Sequence, residues 1–288
     1  MQHLIIGAGP AGVVAAESIR KYDSSSTVTL ISNEPDRPYS RLAIPHFLQG
    51  KIDENATYLR RGSDYFAAHS IDVRKGSVVK VDTLADAVNL EDGSRLEYDR
   101  LLIATGTRPE KPTIPGNDLP GVVNCWTLND ARKIAGHSGV NSEITIVGAG
   151  FIGCIILDAL ARTGVRLNLI EKGNHILPHL MNEASSRLIR SWYEAKGVTV
   201  RTSTDIKAIE KKAHTKKTDK SHSQQLSVLL NSGESLPTDM VIFATGTTMN
   251  TAFLEGSDIA YKQGVLVDEC LKYTIAIGDP PSRAGCQF

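Results

Sequence analysis

The first residues with a chemical pattern are three glycines, Gly7, Gly9 and Gly12, which follow an apolar run near the start of the chain. In this spacing the first glycine permits a tight turn out of a strand, and the second lets a pyrophosphate approach the backbone. The third lets a helix pack closely on the sheet, and the N–H groups at the start of that helix attract the anion. With Pro10 and Ala11 between them, these glycines predict a dinucleotide-binding turn.

An acidic residue belongs at the end of the second strand in this kind of fold. The apolar run 28–31 predicts that strand, and Glu34 stands about 20 residues after Gly12, where a carboxylate meets a ribose hydroxyl. Ser32 and Asn33 share the same strand end. The order of strand, glycine turn, helix, second strand and acid favours a dinucleotide site over a glycine-rich loop of another kind.

A second copy of the pattern begins at Gly148. Its turn contains Gly148, Gly150, Phe151, Ile152 and Gly153. The next predicted strand ends in Glu171, where a carboxylate accepts hydrogen bonds from a ribose diol and repels a 2′-phosphate. This position predicts NAD(H) in preference to NADP(H). The alternative for Glu171 is a solvated charge at the end of the strand, and the neighbouring Lys172 weakens the argument for NAD(H).

Both copies are closed by a short apolar strand followed by the letters Ala-Thr-Gly-Thr. The residues concerned are Ala104, Thr105 and Gly106 in the first copy and Ala244, Thr245 and Gly246 in the second. Between the glycine turn and this segment, each copy has β-rich runs around a turn signal at Gly93 or Gly233. The copies are offset by about 140 positions. We therefore predict an α/β fold with two Rossmann-like dinucleotide-binding domains, each in three ββα layers.

The composition excludes several other classes. The chain has 288 residues, of which 41% are apolar and 22% charged, and its 32 basic residues balance 32 acidic ones. This balance argues against a nucleic-acid or membrane-surface partner. The first apolar stretch is interrupted by glycines and has no basic segment before it, so neither a signal peptide nor a membrane span is expected, and the cytoplasm is the predicted location.

No metal site is predicted. The four cysteines, Cys125, Cys154, Cys270 and Cys286, lie far apart without a CxxC pair, and we expect them to be buried apolar residues. Pro178 interrupts the helical spacing of His175 and His179. The run 211–225 is rich in Lys, His, Ser and Thr and predicts a solvated hairpin loop, whose two histidines have no thiol or carboxylate grouping.

These motifs resemble the FAD-dependent pyridine nucleotide-disulfide oxidoreductase superfamily. The chain is most similar to the branch with ferredoxin and rubredoxin reductases and the flavin portion of NADH-dependent nitrite reductases. The motifs that carry the resemblance are Gly7–Gly12, Pro38-Tyr39-Ser40-Arg41, the segment at Ala104, Thr127–Ala131, Gly148–Gly153 with Glu171, the segment at Ala244, Val267-Asp268 and Ile277-Gly278-Asp279. They extend over nearly the whole chain.

The resemblance implies a role for each part of the chain. The first glycine turn would bind FAD, with Arg41 among its contacts and Asp279 holding the ribityl chain, and the second turn would bind NAD(P)H. The FAD domain would be split into residues 1–112 and 251–288 around a nicotinamide domain at 113–250. A ferredoxin-like or rubredoxin-like protein is the implied electron acceptor.

Two departures from the family pattern narrow the chemistry. Members that reduce disulfides carry cysteines shortly after the second strand, whereas residues 41–46 contain none. Thiol relay is therefore not expected. His46 stands where ferredoxin reductases commonly carry a lysine near the flavin; it is a candidate for a hydrogen bond near flavin N5, and the alternative is a packed or surface histidine. Ile155 replaces a glutamate that faces the nicotinamide in many relatives.

The third departure is length. Relatives continue beyond the Gly-Asp motif into another domain, whereas this sequence ends shortly after Asp279. We expect a shortened homologue, a truncated gene product or a fragment, with weakened flavin binding, and the sequence predicts no oligomeric state. The leading functional prediction is an FAD-dependent oxidoreductase that takes hydride from NADH and passes electrons to an acceptor. The alternative is a nucleotide-binding remnant that acts as a regulatory or interaction module without turnover.

Overall fold

The computed structural model describes residues 1–212 and 226–273. Asp279, Cys286 and residues 213–225 of the predicted loop lie outside the described residues. The helices are α1 (Pro10–Tyr22), α2 (Ile44–Leu48), α3 (Tyr65–Ala68), α4 (Leu128–His137), α5 (Phe151–Leu160) and α6 (Glu183–Ala195). The strands are β1 (Gln2–Ile6), β2 (Thr27–Ser32), β3 (Ile71–Lys75), β4 (Val78–Asp82), β5 (Ala87–Leu90), β6 (Arg95–Glu97), β7 (Arg100–Ile103), β8 (Thr107–Pro109), β9 (Val122–Asn124), β10 (Glu143–Val147), β11 (Arg166–Ile170), β12 (Thr199–Arg201), β13 (Ile206–Lys211), β14 (Leu226–Leu230), β15 (Ser235–Thr238), β16 (Met240–Phe243) and β17 (Thr247–Met249).

The chain folds into two compact units. Unit 1 contains Met1–Ser40, Thr57–Arg108 and the described chain from Thr248, and unit 2 contains Arg41–Ala56 and Pro109–Thr247. The predicted domain boundaries, at 112 and 250, stay a prediction. The sequence did not predict that the segment 41–56 groups with unit 2. The assignment of one unit to FAD and the other to NAD(H) stays a prediction.

Unit 1 is built on a parallel sheet in the order β3-β2-β1-β7. Because side chains alternate between the faces of a strand, β1 contributes to two separate cores. Leu4 and Ile6 pack with Val88 of the antiparallel sheet β4-β5-β6. Ile5 packs with Val13 of α1. The unit therefore has three layers, an antiparallel sheet, a parallel sheet and a helix.

Unit 2 repeats this arrangement with one more strand, in the order β12-β11-β10-β16-β9. Its parallel sheet buries Val147 and Phe243 against Val228 of the antiparallel sheet β13-β14-β15. Helix α5 packs on β10 and β11 through buried residues such as Leu157. The predicted fold class, α/β with two Rossmann-like units, is confirmed.

The start of α4 in unit 2 follows from its sequence. Thr127 accepts a hydrogen bond from the Asp130 amide, and the Asp130 carboxylate accepts one from the Thr127 amide. This reciprocal capping satisfies N–H groups that a helix start would otherwise leave unpaired. Within the described residues, no helix is long and apolar enough to cross a membrane.

Candidate nucleotide-binding sites

Two glycines of the first turn are required by the protein itself. Gly7 has φ +111°, and a Cβ atom there would lie 2.1 Å from the carbonyl oxygen of Ala104. A Cβ atom on Gly12 would lie 2.0 Å from the carbonyl oxygen of Gly7. The strand β7 lies beside β1, so the Ala104 segment closes against the turn. Both glycines allow backbone contacts that any side chain would prevent.

Gly9 has a different role. It precedes α1 in an ordinary extended conformation, φ −73° and ψ −178°, which any residue adopts. A Cβ atom on Gly9 would meet no atom of the described residues within 4 Å. The described helix α1 has no acidic residue in its first turn, so the positive end of its dipole faces this space uncompensated. The space and the charge suit a pyrophosphate.

The second turn reproduces this geometry. Gly148 has φ +100°, with its Cβ position 2.4 Å from the Ala244 carbonyl oxygen, and the Cβ position of Gly153 lies 2.0 Å from the Gly148 carbonyl oxygen. Gly150 opens onto space, because no described atom lies within 4 Å of its Cβ position. Phe151, the next residue, begins α5 and is 60% exposed. Unit 2 therefore contains a second glycine turn with open space at the start of a helix. We call each of these two turns, Gly7–Gly12 and Gly148–Gly153, a glycine cradle.

The acid after β2 lies beside a cavity in unit 1. The Glu34 carboxylate accepts a short hydrogen bond from the hydroxyl of Tyr39, whose ring is buried. The cavity measures about 670 Å³ and extends from the end of β2 along β3, with Arg37, Phe66 and Lys75 in its wall. The carboxyl ends of parallel strands are where nucleotides bind in such sheets. Tyr39 is a neighbour of Glu34 that sequence reasoning did not identify.

Glu171 is held by the backbone. Its Oε2 atom accepts a hydrogen bond of 2.6 Å from the Ala149 amide, and its Oε1 atom accepts one of 2.7 Å from the Gly173 amide. The ammonium group of Lys172 lies 3.0 Å from the Asp205 carboxylate. The carboxylate is therefore bonded to the backbone at the end of β11, and its contact with a coenzyme ribose stays a prediction.

The Ala-Thr-Gly-Thr segments tie the chain together inside each unit. In unit 1 the Thr105 hydroxyl donates to the Asn250 carbonyl (2.9 Å), and the Asn250 amide group donates back to the Thr105 carbonyl (2.8 Å). In unit 2 the Glu110 amide donates to the Gly246 carbonyl (2.9 Å), and the Thr245 hydroxyl donates to the Glu110 carbonyl (3.2 Å). These hydrogen bonds lie near two of the points at which the chain passes from one unit to the other, after Arg108 and after Thr247. The sequence did not predict this role.

Two residues that the resemblance places near a flavin, Arg41 and His46, belong to unit 2. The Arg41 guanidinium lies 5.3 Å from the ring centre of Trp126. His46 is exposed on α2, a helix that packs against α4 and α5. Glu54 fixes the same segment through a bidentate pair with Arg132 at 2.7 and 2.8 Å. The structure does not group these residues with the first glycine turn.

The described cysteines are of two kinds. Burial raises the pKa of the Cys125 thiol to about 12 and that of Cys154 to about 11. Both are therefore protonated and unreactive near neutral pH. The prediction of burial is wrong for Cys270, which is exposed in a turn where its amide donates to the Asp268 carboxylate. The described part of the chain brings no three His, Cys, Asp or Glu side chains together as a metal site.

The chain is similar to known oxidoreductases. The chain is 30% identical to rhodocoxin reductase of Rhodococcus erythropolis, over 99% of this chain and 67% of that protein. It is 27% identical to rubredoxin-NAD(+) reductase of Pseudomonas putida, over 97% and 71%. The solved structure of an NAD-dependent persulfide reductase from A. fulgidus has a TM-score of 0.86 at 27% identity and matches 95% of this chain.

The chain spans about two thirds of the length of these curated relatives and 51% of the solved structure. The profile of one family, described as pyridine nucleotide-disulphide oxidoreductase, matches residues 1–279. That range includes both glycine turns, both Ala-Thr-Gly-Thr segments and the acids after β2 and β11. The chain belongs to the pyridine nucleotide-disulphide oxidoreductase family.

Proposed function

We propose that this chain is an FAD-dependent oxidoreductase that takes hydride from NADH and passes electrons to a ferredoxin-like or rubredoxin-like protein. The observation that carries the proposal is the pair of glycine cradles, each with open space at its second glycine, Gly9 or Gly150. Two nucleotide sites in one chain suit a relay between two cofactors. The names of the relatives, a rubredoxin-NAD(+) reductase among them, support NADH as donor and a small electron-transfer protein as acceptor.

FAD fits unit 1. Its pyrophosphate would lie against Gly9 and the start of α1, with Pro10, Ala11 and the Ala104–Gly106 segment around it. Its adenosine would occupy the 670 Å³ cavity near Glu34. The cavity volume is in the range of small-molecule sites. Arg41 and Asp279 are proposed as further contacts on the resemblance alone, and Asp279 lies outside the described residues.

NADH is proposed to bind unit 2 at Gly150, with Phe151 and Ile152 at the start of α5 and the Ala244–Gly246 segment beside it. We propose a preference for NADH over NADPH, because the Glu171 carboxylate would repel a 2′-phosphate. The adjacent Lys172 offers little compensation, since its ammonium group pairs with Asp205. The NADH-linked names of several relatives lean the same way.

FAD, when bound, supplies an acceptor for the hydride and a donor of single electrons. The chain's own residues bind and orient. The two helix starts hold the pyrophosphates, and the closed turns at Gly7 and Gly148 fix where these groups lie. Cys125 and Cys154 take no part in the proposed reaction, because burial keeps their thiols protonated. We propose a reaction without a disulfide step, because residues 41–46 contain no cysteine. No acid–base side chain is proposed, and His46 is proposed only as a neighbour of the flavin. A cytoplasmic location is part of the same proposal.

A spectrum of the purified protein tests the proposal. Bound flavin absorbs near ~450 nm, and anaerobic addition of NADH should bleach this band when electrons arrive. Oxidation of NADH by ferricyanide, and then by a ferredoxin and a rubredoxin, would identify the class of acceptor. A protein that binds FAD and NADH but does not bleach would instead be a nucleotide-binding module without turnover.

A further inference from the structure

Both backbone polar atoms of Ala149, the residue between the first two glycines of the second turn, are hydrogen-bonded. Its N–H group donates to the Glu171 carboxylate (2.6 Å). Its carbonyl oxygen accepts from the Leu177 amide at 2.8 Å and from the Cys154 thiol at 3.6 Å. The residue itself is fully buried. The N–H group and the carbonyl oxygen of Ala149 are therefore both bonded to residues outside Gly148–Gly153.

The loop that follows β11 is tied to the same point. Leu177, whose amide reaches Ala149, is buried and has φ +53°, a conformation that costs energy for a residue other than glycine. The other carboxylate oxygen of Glu171 accepts from Gly173 at the start of this loop. A Cβ atom on Gly173 would lie only 3.1 Å from that oxygen. Glu171 thus joins the glycine turn to the loop 173–177.

We infer that Glu171 is a positioning residue for the glycine turn of unit 2, in addition to any contact with the coenzyme ribose. This inference rests on the proposed function, because it names how the NADH site is held in shape. The carboxylate accepts from Ala149 and thereby sets the direction of the Gly148–Gly150 backbone. That backbone presents the start of α5 to the pyrophosphate.

A carboxylate is needed for this role because both of its oxygens accept. In Glu171→Gln one amide oxygen still accepts, but the NH2 group meets the N–H of the other backbone amide, donor against donor. The glutamine keeps the size of the side chain and its ability to bond ribose hydroxyls. A loss of turn order in this variant therefore separates positioning from ribose recognition.

The first experiment measures amide hydrogen exchange in the protein without added NADH. In Glu171→Gln one of the two amides, Ala149 or Gly173, faces the NH2 group and should exchange about tenfold faster, corresponding to about 1.4 kcal/mol, while the Ile146 amide in β10 is unchanged. Glu234→Gln is the matched control, because it removes an exposed carboxylate paired with Arg201 in the same unit. Exchange of both Ala149 and Gly173 within twofold of wild type in Glu171→Gln would refute the inference.

A second variant perturbs the same contact and leaves Glu171 in place. Gly173→Ala puts a methyl group at the 3.1 Å position beside Oε1, so the carboxylate must move by a few tenths of an ångström. We expect faster exchange at Ala149 and Gly173 in this variant too, by a smaller factor than at the amide that loses its acceptor in Glu171→Gln. Unchanged exchange in both variants, with wild-type melting temperatures, would overturn the inference without any appeal to misfolding.

Kinetic measurements with NADH and an analogue distinguish a positioning role of Glu171 from a direct contact with the ribose. In Glu171→Gln the KM for NADH should rise about tenfold, while kcat at saturating NADH and flavin content stay within twofold of wild type. The same penalty should persist with NADH that lacks the adenosine 2′-hydroxyl; if it vanishes, Glu171 acts through the ribose alone. If neither the wild type nor Glu171→Gln binds NADH, but the variant still exchanges faster at Ala149 or Gly173, the proposed function fails and the positioning role stands.

Discussion

Replacing Gly9 by valine should remove FAD and leave the fold intact. A Cβ atom at this position meets no described atom within 4 Å, and the backbone conformation, φ −73° and ψ −178°, is open to any residue. The side chain can therefore only project into the space assigned to the pyrophosphate. Gly12 is the matched control, because its Cβ position lies 2.0 Å from the Gly7 carbonyl oxygen.

The two substitutions differ in expected size. Glycine is the better residue at a helix start by about 1 kcal/mol, but replacing it restricts the unfolded chain and returns about 0.4–1 kcal/mol. The unfolding free energy of the Gly9→Val apoprotein should therefore lie within about 1 kcal/mol of wild type. Its FAD affinity should fall at least a hundredfold, or about 2.8 kcal/mol. Gly12→Ala, in contrast, forces backbone apart and should lower stability by about 3 kcal/mol.

The assay compares urea unfolding of the apoproteins with flavin content after gel filtration. Gly150→Val completes the set, since it should retain FAD and lose NADH binding. Stoichiometric flavin in Gly9→Val would show that the first glycine turn does not hold the cofactor. An apoprotein of Gly9→Val that unfolds as readily as Gly12→Ala would show that the space at Gly9 is needed for folding.

Three further predictions test other parts of the chain. Glu171→Arg should improve the preference for NADPH over NADH by on the order of tenfold, while KM rises for both coenzymes because the turn loses its acceptor; steady-state kinetics with each coenzyme gives both quantities. Glu17→Gln should cost about 0.5–1 kcal/mol near pH 7, since hydrogen bonds from Arg60 lower the pKa of this carboxyl. That contribution is present above the unfolded pKa of about 4.3 and is lost as pH falls through the lower folded value, so urea melts of wild type and variant should converge in acid. Iodoacetamide at pH 8 should label Cys270 in the native protein and Cys125 only after unfolding, as peptide mass mapping would show; prompt labelling of Cys125 would contradict its burial.

Local signals predicted most of the fold. The β-rich runs predicted around Gly93 and Gly233 form the antiparallel sheets β4-β5-β6 and β13-β14-β15. The turn glycines Gly93 and Gly233 adopt the positive φ values, +83° and +88°, that a hairpin turn requires. Each of these features depends on residues a few positions apart, where residue type determines backbone geometry directly.

Contacts between distant residues were not predictable in this way. Thr105 and Asn250 exchange hydrogen bonds across 145 positions of the chain, and neither residue type signals the pairing. The bond from Leu177 to Ala149 depends on a positive φ at a leucine, which sequence patterns disfavour. Cys270 was expected to be buried from the usual behaviour of cysteine, yet a turn at Asp268 exposes it.

The glycines of both turns divide into two groups, and only one group is explained by folding. Gly7 and Gly148 have positive φ and touch the backbone of the closing segments, and the third glycine of each turn touches the first. These positions would be glycine in a protein without any ligand. Gly9 and Gly150 have neither constraint, since their Cβ positions are open to the described structure. We propose that the pyrophosphates of the two cofactors bind in this space, which lies beside a helix start in each unit. Substitution at the second glycine is then expected to separate binding from folding.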